Sequence, residues 1–165
     1  MPVRDVPVRL GAGSGKTSSM RSFVLSFLLL STAIPVHADD SMQAQALFQR
    51  YRQLADAFDP AFADLYCDAA QISNTRRFPD GTERTLELSA AQYKDLVRAA
   101  MPVARQRGDR STFSSVAFTR EGDAVRISAS RYSLLKDYTS PITLKVAACN
   151  GNAWGILEEI SESRP

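Results

Sequence analysis

From Thr112 to Ile160 the sequence alternates in steps of two, and no other stretch restricts the fold as much. Val125, Ile127 and Ala129 alternate with Arg126, Ser128 and Ser130, and Ile142, Leu144, Val146 and Ala148 alternate with Thr143, Lys145 and Ala147. A period of two gives each strand one apolar and one polar face. Glu121-Gly122-Asp123 and Asn150-Gly151-Asn152 separate the runs, and such residues tolerate the positive φ of tight hairpins. The segment reads as four consecutive strands. Their apolar face needs a cover.

The preceding chain supplies one. Ala44, Leu47, Phe48, Tyr51, Leu54, Ala55 and Phe58 recur at helical spacing, which predicts a helix from a Ser41 cap to about Phe58. Asp59-Pro60 suits the start of a second, shorter helix carrying Phe62, Leu65 and Tyr66. Two strands, 70–78 and 82–88, flank the turn Pro79-Asp80-Gly81. Ser89-Ala90-Ala91-Gln92 reads as a capping box. The helix it opens carries Tyr93, Leu96, Val97, Ala100 and Met101, with Pro102 expected to bend or end it and Gly108 suited to its end. Helices followed by runs of strands point to α+β, with helices on one face of an antiparallel sheet.

Residues 1–38 are expected to stand apart from this domain. Met20-Arg21, the apolar run Phe23–Ile34 and Val36-His37-Ala38 have the layout of a secretory signal peptide, with cleavage expected after Ala38. The run is shorter than the ~20 residues a membrane span needs. Met20 and Met1 both remain candidate starts. The expected mature domain is 39–165, periplasmic or secreted, with no membrane contact after cleavage. The whole chain has 20 basic and 18 acidic residues, but the leader holds four of the bases and one of the acids. The mature part is near neutral, and its charge gives no argument for nucleic acid. Its two cysteines, Cys67 and Cys149, either bridge or remain buried thiols.

The element order α-α-β-β-α-β-β-β-β, with a Tyr on the first helix and Leu65-Tyr66-Cys67-Asp68-Ala69-Ala70 leading into the first strand, resembles the nuclear transport factor 2-like superfamily. That superfamily includes ketosteroid-isomerase-like and polyketide-cyclase-like proteins. The resemblance implies a cone-shaped, cystatin-like α+β fold. In it a curved mixed or antiparallel sheet wraps three helices, leaves a cavity at its open end, and often forms homodimers. It also implies that Tyr51 occupies the position of the isomerases' proton-donating Tyr. Asn74 falls where their general base lies, and an amide cannot take up a proton near neutral pH. A second acid would fall near Lys145, which lies on the polar strand parity.

Other motifs carry less. Gly11–Thr17 approaches a phosphate-binding loop, but Leu10 stands where its first glycine is needed. Tyr132 and Lys136 have a dehydrogenase-like spacing on a strand rather than a helix. The sole histidine, His37, falls in the leader. The mature domain therefore has no histidine for a nucleophilic triad, a general base or a zinc site. No cofactor is expected. Asp68 is expected to be structural, and of Glu158 and Glu159 one could face inward, though a solvated edge fits both. Arg131 continues the parity of Val125, Ile127 and Ala129. It would suit a carboxylate or phosphate at a cavity mouth, unless the strand has already left the core. Trp154 shares parity with Ile156.

The expected function is binding: a small ligand in a pocket lined by Tyr51, Asn74, Arg131 and Trp154, or a partner against the outer sheet face. The alternatives are an isomerase, lyase or cyclase using Tyr51 with Asp68 or Glu158, and a homodimeric accessory domain.

Overall fold

The structure, a computed structural model, describes residues 37–149 and 153–165. The predicted leader, the Gly11–Thr17 motif and the Asn150-Gly151-Asn152 turn fall outside the described residues, apart from the leader's last two.

Helix α1 spans His37–Ala57. It starts before Ser41, whose hydroxyl is inside the helix and accepts from Gln45. The second helix is a 3-10 turn, Pro60–Leu65, and the Asp59 carboxylate accepts from the Ala61 N–H at its start. Strands β1 (Tyr66–Arg77) and β2 (Glu83–Ser89) follow. Helix α2 (Ala90–Arg107) opens with the Ser89–Gln92 capping box and ends at Gly108, whose φ of 64° fits a left-handed cap. Pro102 does not end it; the helix runs on, giving up one backbone bond on an exposed face. Strands β3 (Ser111–Glu121), β4 (Ala124–Ser133), β5 (Tyr138–Cys149) and β6 (Ala153–Ser163) complete the chain.

The six strands form one open sheet in the order β2-β1-β6-β5-β4-β3. All pairings are antiparallel except β1 with β6. This is the α+β class that the element order implied, but the parallel β1–β6 pair makes the sheet mixed rather than purely antiparallel, a form the family resemblance allowed. Val125, Ile127, Ala129, Ile142, Leu144 and Val146 are buried on the inner face against Phe48, Tyr51 and Phe62.

Three ladders are interrupted, and these irregularities position the inner face. In β3 the register shifts between Ser114 and Ala117, and Ser115 takes φ 53°. The shift keeps both Phe113 and Phe118 on the α1 side, edge-on to Phe48. In β6 the pairing jumps from Glu158–Lys145 to Ile156–Val146, leaving Leu157 as the extra residue of a bulge. In β1 pairing with β6 lapses between Tyr66 and Gln71.

Cys67 and Cys149 are joined by a disulfide with a Cα–Cα distance of 6.0 Å. It links β1 to β5 across the intervening β6. Gly155 makes the crossing feasible: a Cβ there would lie 2.8 Å from one sulfur and 2.9 Å from the other.

Candidate functional site

A cavity of about 240 Å³ lies between the helices and the inner sheet face. Its apolar wall comes from Ala55, Phe58, Phe62, Val97, Met101 and Phe113. Helical spacing delivers Ala55 from α1 and Val97 and Met101 from α2, while Phe58 follows the end of α1, Phe62 comes from the 3-10 turn and Phe113 from β3. The two helix ends are tied where the walls meet, since Arg105 donates to the carbonyls of Ala57 and Phe58.

The polar groups of the cavity are Tyr51, Tyr93, Arg131, Glu159, Ser111 and the rim residue Asp109. Glu159 is the least expected. It is 3 % exposed, on β6, opposite Leu144 on one side and Ile72 on the other. Simple alternation from the buried Ile156 would have turned Glu158 inward. The bulge at Leu157 reverses the parity. Glu159 and Ser161 face the core, Ile160 is exposed, and Glu158 lies on the outer face within 3.7 Å of Arg126. Re-aiming a side chain is a common use of a bulge near a site. The expectation of a solvated Glu159, and of Glu158 as the available acid, is thus corrected.

The Tyr66 hydroxyl donates to Glu159 Oε2, and the Tyr93 hydroxyl lies 3.5 Å from that of Tyr66. Burial raises the Glu159 carboxyl above its ordinary range, while the bond from Tyr66 and the charge of Arg131 draw it back. Burial, then the neighbouring Glu159, pushes the hydroxyls of Tyr51 and Tyr66 well up; Tyr93 is raised by the same two causes. All three phenols stay protonated, and Tyr66 is the one that donates to Glu159. A carboxyl with a raised proton affinity among phenols in an apolar cavity can hold or exchange a proton with a bound oxygen or carbon acid.

Of the sequence-predicted residues, the structure brings Tyr51 and Arg131 to the cavity. Asn74 and Trp154 do not line it. Asn74 donates to Ser161 and accepts from Ser163, bridging β1 to the end of β6 beyond the helices. Trp154 packs, partly buried, against the core beside the disulfide-bearing end of β5. Asp68 is exposed and bonded to Lys94 of α2 at 2.7 Å, and Lys145 faces outward opposite Glu158. Tyr132 donates to Asp137. Among the described residues no group of three or more His, Cys, Asp or Glu could hold a metal ion. A larger hollow of about 530 Å³ lies near the β1–β2 turn and the C-terminal residues. Its Arg77 is already engaged by Glu162 and Glu83, which leaves the inner cavity as the better candidate.

No family model and no curated protein matches the sequence. Solved structures do match. An NTF2-like protein with a cystatin-like fold from Novosphingobium aromaticivorans aligns with a TM-score of 0.51 at 15% identity, covering 76% of this chain and 82% of its own. An NTF2-like protein of unknown function from Shewanella oneidensis aligns at 0.55 and 16%, covering 74% and 98%. One from Pseudomonas putida aligns at 0.55 and 14%, covering 76% and 87%. At these identities the likeness concerns the fold.

Proposed function

We propose that this chain, which has the cystatin-like fold of the nuclear transport factor 2-like proteins, binds a small, partly apolar molecule in its inner cavity. The observation that carries the proposal is the cavity itself: an apolar wall from both helices over a floor holding Glu159, Arg131 and tyrosine hydroxyls. Concave, mostly apolar sites with a few convergent polar groups are the usual form of small-ligand pockets. At about 240 Å³ the space equals roughly eight water volumes, which suits a single-ring or short-chain compound. Apolar burial supplies the affinity, and the polar floor sets orientation. The test is ligand-observed NMR with a mixed library of single-ring acids, amides and alcohols. Compounds that bind the wild-type protein should be lost in Ala104→Trp, which places an indole in the cavity. A library without a single hit of that kind refutes the reading.

One observation favours a second reading, proton-transfer catalysis of the isomerase or lyase type. The bound molecule would sit beside a carboxyl whose proton affinity is raised by burial and which is held by Tyr66. Glu159 would then be the acid–base group, in place of the Asp68 or Glu158 expected from sequence. Turnover abolished by Glu159→Gln with binding retained would support it.

Export to an oxidising compartment is part of the proposal, supported by the apolar run Phe23–Ile34 and the Cys67–Cys149 bridge. A homodimer through the outer sheet face would bury mainly polar side chains. Arg126, Lys145, Glu158 and Gln71 cross that face at one level, and the exposed Ile160 lies between Ser73 and Thr143.

A further inference from the structure

Arg131 and Ser140 stand directly opposite each other in the β4–β5 ladder. One guanidinium nitrogen of Arg131 donates to the Glu162 carbonyl at 2.8 Å. Glu162 belongs to β6, the strand beyond β5, so the Arg131 side chain runs across β5, over Ser140. Ser140 is 4 % exposed, and its hydroxyl has no hydrogen-bond partner. A buried hydroxyl left unpaired costs about 1–3 kcal/mol, so such groups ordinarily have a partner.

Arg131 also lacks a contact ion pair, although its charge is felt by Glu159. Among the described residues no carboxylate lies within ion-pair distance of its guanidinium. The nearby acid, Glu159, takes its hydrogen bond from Tyr66 instead. Asp109 lines the cavity only as an exposed rim residue, where solvent screens its charge. The floor therefore holds a cation with free donors, while Ser140 lies beneath it and outside the cavity lining. A planar anion with two oxygens satisfies those donors, since a guanidinium fork matches a carboxylate.

We infer that the ligand of this cavity is a small carboxylic acid, its carboxylate held by the Arg131 guanidinium and its ring or chain against the apolar wall. The inference rests on the ligand-binding reading above and names the substrate class of that same cavity. The apolar wall next to a single anion site selects a monoacid over a diacid or a phosphorylated sugar, whose further polar groups would meet Phe58, Phe62 and Phe113.

The test compares matched pairs on the full chain by ligand-observed NMR: benzoate with benzamide, and cyclohexanecarboxylate with its amide. The acids should bind at least about tenfold tighter than the amides, the scale of one charge-assisted bond. Arg131→Met should remove that advantage, and Arg131→Lys should keep part of it. Ser140→Ala, beneath Arg131 and outside the cavity lining, is the control and should leave the acid-to-amide ratio within about threefold. Amides that bind as well as acids, or acids indifferent to Arg131→Met, overturn the carboxylate assignment and leave the binding reading standing. Absence of any cavity binder of either class overturns both.

Discussion

Replacing Glu159 by Gln changes how stability depends on pH, and the direction follows from the site. The Glu159 carboxyl is 3 % exposed, and burial is the main cause that raises its proton affinity in the folded state. The unfolded chain titrates it near ~4.3. Between that value and the higher folded midpoint, the folded protein binds more protons than the unfolded one. Stability from this group is thus fully present below the unfolded midpoint and is lost as pH rises through the folded one. The loss is about 1.4 kcal/mol for each pH unit separating the two midpoints. A glutamine has no proton to lose, and its amide oxygen can still accept from Tyr66. Glu159→Gln should therefore gain stability relative to wild type as pH climbs from the unfolded midpoint through the higher folded one, and the difference should then level off. Urea unfolding at several pH values, with an unchanged m-value, reads this directly. Because every other group titrates alike in both proteins, their difference isolates residue 159. Two curves that stay parallel across the range would refute the reasoning.

Tyr66→Phe removes the donor to Glu159 and should cost about 1–3 kcal/mol at neutral pH, with the stability loss extending to higher pH, as urea unfolding would show. Gly155→Ala would drive a Cβ to 2.8 and 2.9 Å from the two sulfurs and 3.1 Å from the Leu65 carbonyl. It should destabilise by about 1–3 kcal/mol, and much of that penalty should vanish when both cysteines are alanine. Cys67→Ala with Cys149→Ala opens a closure between residues 82 apart and should lower stability by about 4 kcal/mol, measured under identical denaturant conditions. Ser89→Ala breaks the capping box of α2 and should cost about 0.5–2 kcal/mol in the same assay.

The layered fold was legible because its signals are periodic and local. Val125 to Ala129 and Ile142 to Val146 alternate, and they are buried as their parity requires. The Ser89–Gln92 box and Gly108 bracket α2 as their chemistry dictates. The floor of the cavity was only half legible. Tyr51 and Arg131 obey the period of their own elements and arrive where that period sends them. Glu159 does not, because one extra residue in β6 inverts the faces beyond it. A bulge of this kind is set by how β5 and β1 pair with β6, and nothing within Leu157-Glu158-Glu159 marks it. Tyr66 and Tyr93 read as packed apolar-edge residues, since their hydroxyls acquire a role only once Glu159 is beside them. Asn74 was placed by likeness to another branch of the fold. In this chain its amide is taken by Ser161 and Ser163, two serines that the same bulge turns toward it. The crossing of β6 by the disulfide depends on the contact at Gly155, which no spacing between Cys67 and Cys149 reveals.

The account depends most on Glu159 lying inside the cavity rather than on the solvated face. Carbon-detected NMR of glutamate carboxyl groups, with Glu159→Gln to assign the signal, follows that one group through a pH titration. The account predicts a midpoint above the ordinary carboxylate range, moving higher still in Tyr66→Phe, because the bond from Tyr66 favours the charged form. A Glu159 that titrates within the ordinary range and ignores the loss of the Tyr66 hydroxyl would contradict it.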